Sequence, residues 1–165
     1  MGNIRSLANK MDELAGLVRT HRMFRESSVM CFTEMWLHED ILDSNITVDG
    51  FQTVLADRSH RESGKGKGGG LAILINNKWC HPGHVTVKER ACSSDIELLA
   101  VGLRPYYLSR EFSHVIILVV YIPPFANAAL ATDVIHTVVT IMQSCNSGCN
   151  TAHLQAICGL FHHGK

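Results

Sequence analysis

Apolar residues at Leu7, Met11, Leu14, Leu17 and Val18 recur at helical spacing, with Lys10, Asp12, Glu13 and Arg19 between them. That pattern predicts an amphipathic helix lying on a core. The run SSVMCFTEMWL then has strand length and gives way to Thr33-Glu34, which places a carboxylate at the tip of a buried strand. GFQTVLADRSH predicts another strand. The flexible ESGKGKGGG follows, and apolar LAILI returns into the core. Asn76-Asn77 supplies a turn before Trp79, and HVTVKER reads as a polar connection to the strand DIELLAVGL, both faces of which are largely covered. HVIILVVYI is rich in β-branched residues and is stopped by Pro123-Pro124, so Tyr121 sits at its end. ALATDVIHTVVTIM predicts a helix after a Thr132-Asp133 start, and QAIC begins one more strand that runs out at Gly159. Antiparallel-style strands between helices predict a layered α/β or α+β domain.

Composition adds bounds. A chain of 165 residues with 46% hydrophobic and 18% charged residues has the size and balance of one folded domain. Its formal net charge of +0 leaves any attraction for phosphate to local patches. VIILVVYI is far shorter than the roughly 20 residues of a membrane-spanning helix, and MGNIRSLANK lacks a signal-peptide core. The default expectation is an intracellular protein, nuclear or cytoplasmic, with no membrane partner and no small-molecule cofactor. The start MGNIRS is a weak match to a myristoylation signal and reads as a chance Met-Gly. The six cysteines show no disulfide or zinc-ribbon spacing, so reduced, mostly buried thiols are expected. Cys145, Cys149 and His153 could share a helical face and a metal, but Asn146-Ser147-Gly148 between them favours a turn.

Two strand-end residues stand out chemically. Glu34 offers the carboxylate oxygens that hard divalent cations prefer, and the phenol of Tyr121 can steady a phosphate oxygen. The plainer alternatives are a solvated carboxylate and a tyrosine at the edge of the core. GKGKGGG lacks the order of a P-loop, because GGGL carries no Lys-Ser/Thr. At most, its amides with Lys65 and Lys67 form a weak nucleic-acid contact, and a solvated hairpin loop is the plainer reading.

Taken in order, NIRSLANKMDEL, FTEMWL, GKGKGGGLAILINNKWC, DIELLAV, RPYYLSREF and VVYIPP resemble the endonuclease domain of LINE-type (non-LTR) retrotransposons. That family lies within the endonuclease/exonuclease/phosphatase superfamily, with DNase I and the apurinic/apyrimidinic endonucleases. The resemblance runs over nearly the whole chain. It implies a DNase I-like, four-layered β-sandwich flanked by helices, with a Mg²⁺-dependent phosphodiesterase site acting on DNA at one end of the sheets. By position, Asn3 matches the family asparagine that helps hold metal and phosphate, Glu34 the glutamate that binds the metal, and Tyr121 the tyrosine at the scissile phosphate. The implied reaction is attack of activated water on a DNA phosphate, with Mg²⁺ polarising the phosphoryl oxygen.

The closing ICGLFHHGK departs from the family pattern. Where the family carries GDFNH, this chain reads GLFHH: Gly159, Phe161 and His163 match, Leu160 replaces the aspartate and His162 the asparagine. Leucine can neither accept a proton nor orient water, which leaves the general-base role vacant, whereas His162 can still donate a hydrogen bond to phosphate. The paired histidines therefore read as an altered motif rather than a metal site. The family's later Ser-Asp-His segment and the strand before Asn3 are also not represented. Residues 1–165 are accordingly expected to form a single, truncated domain whose ancestral Mg²⁺-dependent hydrolysis of DNA is impaired, the alternative being a non-catalytic fragment that at most binds nucleic acid. Open sheet edges predict marginal stability or association.

Overall fold

The computed structural model describes residues 2–3, 10–33, 46–56, 70–145 and 153–158, and for residues 2–3, 145 and 153–158 the backbone alone. Glu34, Lys65, Lys67, Leu160 and His162, for which chemistry is expected, lie outside these residues. Two four-stranded sheets pack face to face. The first runs β1 (Gly2–Asn3), β2 (Val29–Thr33), β4 (Leu71–Asn76), β3 (Phe51–Ala56) in spatial order. The second runs β5 (Cys80–Cys92), β6 (Glu97–Pro105), β7 (Val115–Tyr121), β8 (His153–Cys158). Each sheet is antiparallel except at one edge, where β1 lies parallel to β2 and β8 parallel to β7.

Side-chain alternation explains the layers. On β4, Leu71, Ile73 and Ile75 meet Leu99, Val101, Val115, Ile117 and Val119 between the sheets. The intervening Ala72 and Leu74 turn the other way and pack under α1 (Met11–Thr20), with Met11, Leu14 and Val18. On the far side, Leu98, Ala100, Ile116, Leu118 and Val120 carry Ala131, Val138 and Met142 of α3 (Ala128–Cys145). The central strands read as unbroken apolar runs because both of their faces are covered. The result is helix, sheet, sheet, helix, the four layers expected.

Three expectations are corrected. HVTVKER is no mere connection: it belongs to the 13-residue strand β5. Val85 and Val87 alternate as strand residues do, but β5 is a largely exposed edge, and its register with β6 shifts between Cys80 and Val85, around Pro82-Gly83. Polar residues and irregularities of this kind protect an edge from pairing with another chain. The second long helix begins at Ala128 rather than after Thr132, because Asn127 caps it: Asn127 Oδ1 accepts from the amides of Ala129 (3.0 Å) and Leu130 (3.4 Å). The last strand opens at His153, before QAIC. Since α3 ends at Cys145 and His153 is already in β8, Cys145 and His153 share no helical face. The first helix is described from Met11, with Leu7 outside the described residues.

A candidate site at one end of the sandwich

Strand direction and register bring the singled-out positions together. In the first sheet Asn3 pairs with Thr33, Thr33 with Leu71, and Leu71 with Ala56, so these four residues mark one end. In the second sheet Cys92 pairs with Glu97, Glu97 with Tyr121, and Val120 with Cys158. The two ends coincide, because the amide of Gly70, just before Leu71, donates a 2.7 Å hydrogen bond to Glu97 Oε2. The backbone thus gathers the last residues of β1, β2, β7 and β8 at one place. Glu34 follows Thr33 in the chain and the GLFHH segment follows Cys158.

Tyr121 ends β7 as expected and lies at the margin of the inter-sheet core, 6% exposed. Its ring therefore belongs to the packing of that core. Asn3 is placed by its backbone beside Thr33.

Two residues at this end are missed by motif reasoning. Glu97 is 3% exposed, and since its β7 partner in register is Tyr121, the two side chains stand on the same face of the sheet. Its signal was available as the one carboxylate in the otherwise apolar ELLAVGL. Thr33 is fully buried, and among the described residues its hydroxyl has no hydrogen-bond partner. A threonine ending a strand gives no comparable sequence signal.

Elsewhere the buried chemistry is inert. Burial pushes the Cys31 thiol up to about 11 from an ordinary 9.0, and burial also raises that of Cys80, against a smaller lowering by a backbone hydrogen bond at Arg104. Both thiols are free, and both sit in the inter-sheet core, where a thiol acts as a small hydrophobe. Among the described residues no group of three His, Cys, Asp or Glu side chains could hold a metal, and no helix is long and apolar enough to cross a membrane.

No family model matches the chain, and no curated protein does. Solved structures do. The human Nocturnin catalytic domain with bound sulfate anion aligns with a TM-score of 0.50 at 14% identity, covering 86% of this chain and 57% of that one. Truncated TDP2 of Caenorhabditis elegans aligns with a TM-score of 0.50 at 12% identity, covering 91% and 54%. The AP endonuclease LMAP of Leishmania major aligns with a TM-score of 0.50 at 17% identity, covering 86% and 44%. The fold is DNase I-like. All three neighbours are of the endonuclease/exonuclease/phosphatase superfamily, and this chain spans about half the length of each. At such identities the likeness to the DNase I-like proteins concerns architecture, which agrees with the four layers expected.

Proposed function

We propose that this end of the sandwich is the phosphodiester site of a LINE-type retrotransposon endonuclease domain that retains DNA binding and has impaired hydrolysis. One observation carries the reading: strand register collects Asn3, Thr33 with Glu34 next in sequence, Tyr121, and the strand leading into GLFHH at a single end of a DNase I-like fold.

The residues suit a hard cation. Asparagine, glutamate and the buried threonine hydroxyl that has no partner among the described residues are oxygen donors of the kind Mg²⁺ takes, Asn3 being in register with Thr33 and Glu34 next to Thr33 in sequence. Asn3 and Glu34 would hold it, and Mg²⁺ would supply polarisation of a phosphoryl oxygen. Tyr121 would steady the phosphate, with His162 as a further donor and Lys65 and Lys67 adding charge-based attraction for the DNA backbone. Leu160 cannot take a proton from water, so hydrolysis is the function impaired. A nuclear or cytoplasmic setting accompanies this reading, as does a single domain over residues 1–165.

The test is equilibrium binding of a fluorescent DNA duplex, with Mg²⁺ and with EDTA, by the chain and its Glu34→Ala variant. Affinity that rises with Mg²⁺ and depends on Glu34 supports the site. Binding indifferent to both overturns it.

A further inference from the structure

Glu97 is costly where it stands. The residues that follow it on the same face of β6, Leu99, Val101 and Leu103, are fully buried between the sheets. Taking a carboxylate out of water is penalised unless polar partners hold it, so a glutamate at this position calls for specific hydrogen bonds. The charge sits at the end of β6 nearest the candidate site, across from Tyr121.

One of its hydrogen bonds reaches the other sheet. Oε2 accepts from the backbone N–H of Gly70 at 2.7 Å, a charge-assisted bond in a buried setting. Gly70 has φ +92°, a conformation open to glycine and strained for other residues, and this turns its amide toward the carboxylate. One side chain therefore ties the start of β4, where the glycine- and lysine-rich stretch ends, to the strand end that carries Tyr121.

We propose that Glu97 is a positioning residue: by latching Gly70 beside Tyr121, it holds the two sheets' contributions to the phosphate site in one frame. This rests on the phosphodiester reading above. It also has a distinctive sign. A carboxylate that was only a bystander would repel DNA phosphate, and its removal would tighten binding. A positioning carboxylate weakens binding when removed, although a negative charge is lost.

The experiment compares the whole chain with Glu97→Gln, Glu97→Leu and Gly70→Ala, first confirming by circular dichroism that each is folded. Two readouts follow: the ¹H–¹⁵N resonance and exchange rate of residue 70, and the affinity for duplex DNA in Mg²⁺. Glutamine retains a carbonyl acceptor and should keep the amide protected, with affinity within about twofold of wild type. Leucine should release the amide, shift its proton upfield and reduce affinity about tenfold, the scale of one lost charge-assisted hydrogen bond. Gly70→Ala should resemble Glu97→Leu. A folded Glu97→Leu protein that binds DNA as tightly as wild type, or more tightly, overturns the positioning role, as does a Gln variant as weak as Leu. If the wild-type chain binds no DNA, the phosphodiester reading fails and this role falls with it, while the residue 70 amide still reports whether the latch exists.

Discussion

Asn76 donates its carboxamide N–H to the carbonyl of Arg25 at 3.1 Å, across 51 residues of sequence. The same nitrogen donates to the Ser27 carbonyl at 3.0 Å, and Oδ1 accepts from the Lys78 amide at 2.9 Å. Asn76 therefore closes the end of β4 opposite Gly70, fastening the chain after α2 (Arg22–Arg25) to the turn before β5. One of the strings that carry the family resemblance, GKGKGGGLAILINNKWC, thus contains a structural clamp.

Replacing Asn76 with alanine removes the donor to the partly buried Arg25 and Ser27 carbonyls and the acceptor for the Lys78 amide. The expected loss is about 1–3 kcal/mol. Urea unfolding should show a lower midpoint with an unchanged slope, and DNA affinity of the folded variant should not move, because the clamp lies at the other end of the sandwich from Tyr121.

The start of α3 is set by a pair of side chains. Asn127 Oδ1 caps the helix, and the Asn127 amide donates to Asp95 Oδ1 at 2.6 Å, joining the β7–α3 turn to the β5–β6 turn. Asn127→Ala should cost about 1 kcal/mol, and Asn127→Asp, which keeps the capping oxygen, much less. Thermal unfolding of the two variants checks the difference.

Stability should also fall in alkali. Cys31 binds its proton more tightly folded, with the thiol at about 11, than its ordinary 9.0. The native state is thus the more protonated one above pH 9, so the contribution is complete below about 9 and is lost as pH rises through about 11. A shift of that size corresponds to about 2–3 kcal/mol. Cys31→Val, which keeps an apolar side chain in the inter-sheet core, should flatten the fall of the urea midpoint between these pH values.

Much of this architecture is legible in the chain because hydrophobic periodicity is a local signal. VIILVVY and LAILI announce buried strands through unbroken β-branched and aliphatic residues, and Met11, Leu14 and Val18 mark the buried side of α1. β5 is harder to read, since an exposed edge has little apolar content and its bulge interrupts the alternation. The helix start at Ala128 is hidden because the apolar positions that pack against β6 and β7 begin a turn beyond its cap. At the site, Tyr121 is read from its place before two prolines, whereas Glu97 and Thr33 acquire meaning through register with Tyr121 and Asn3, residues distant in sequence. Register across a sheet is a tertiary property, and no single segment encodes it.

The most direct measurement is nicking of supercoiled plasmid in Mg²⁺ by the purified, folded chain, beside Glu34→Ala and an EDTA control. On the proposed reading, with Leu160 at the position where the resemblance implies a water-activating aspartate, the wild-type protein should convert no more plasmid than the EDTA control, while still binding it. Nicking that requires both Mg²⁺ and Glu34 would contradict this account, since it would show a working hydrolytic centre that does without a general base at Leu160.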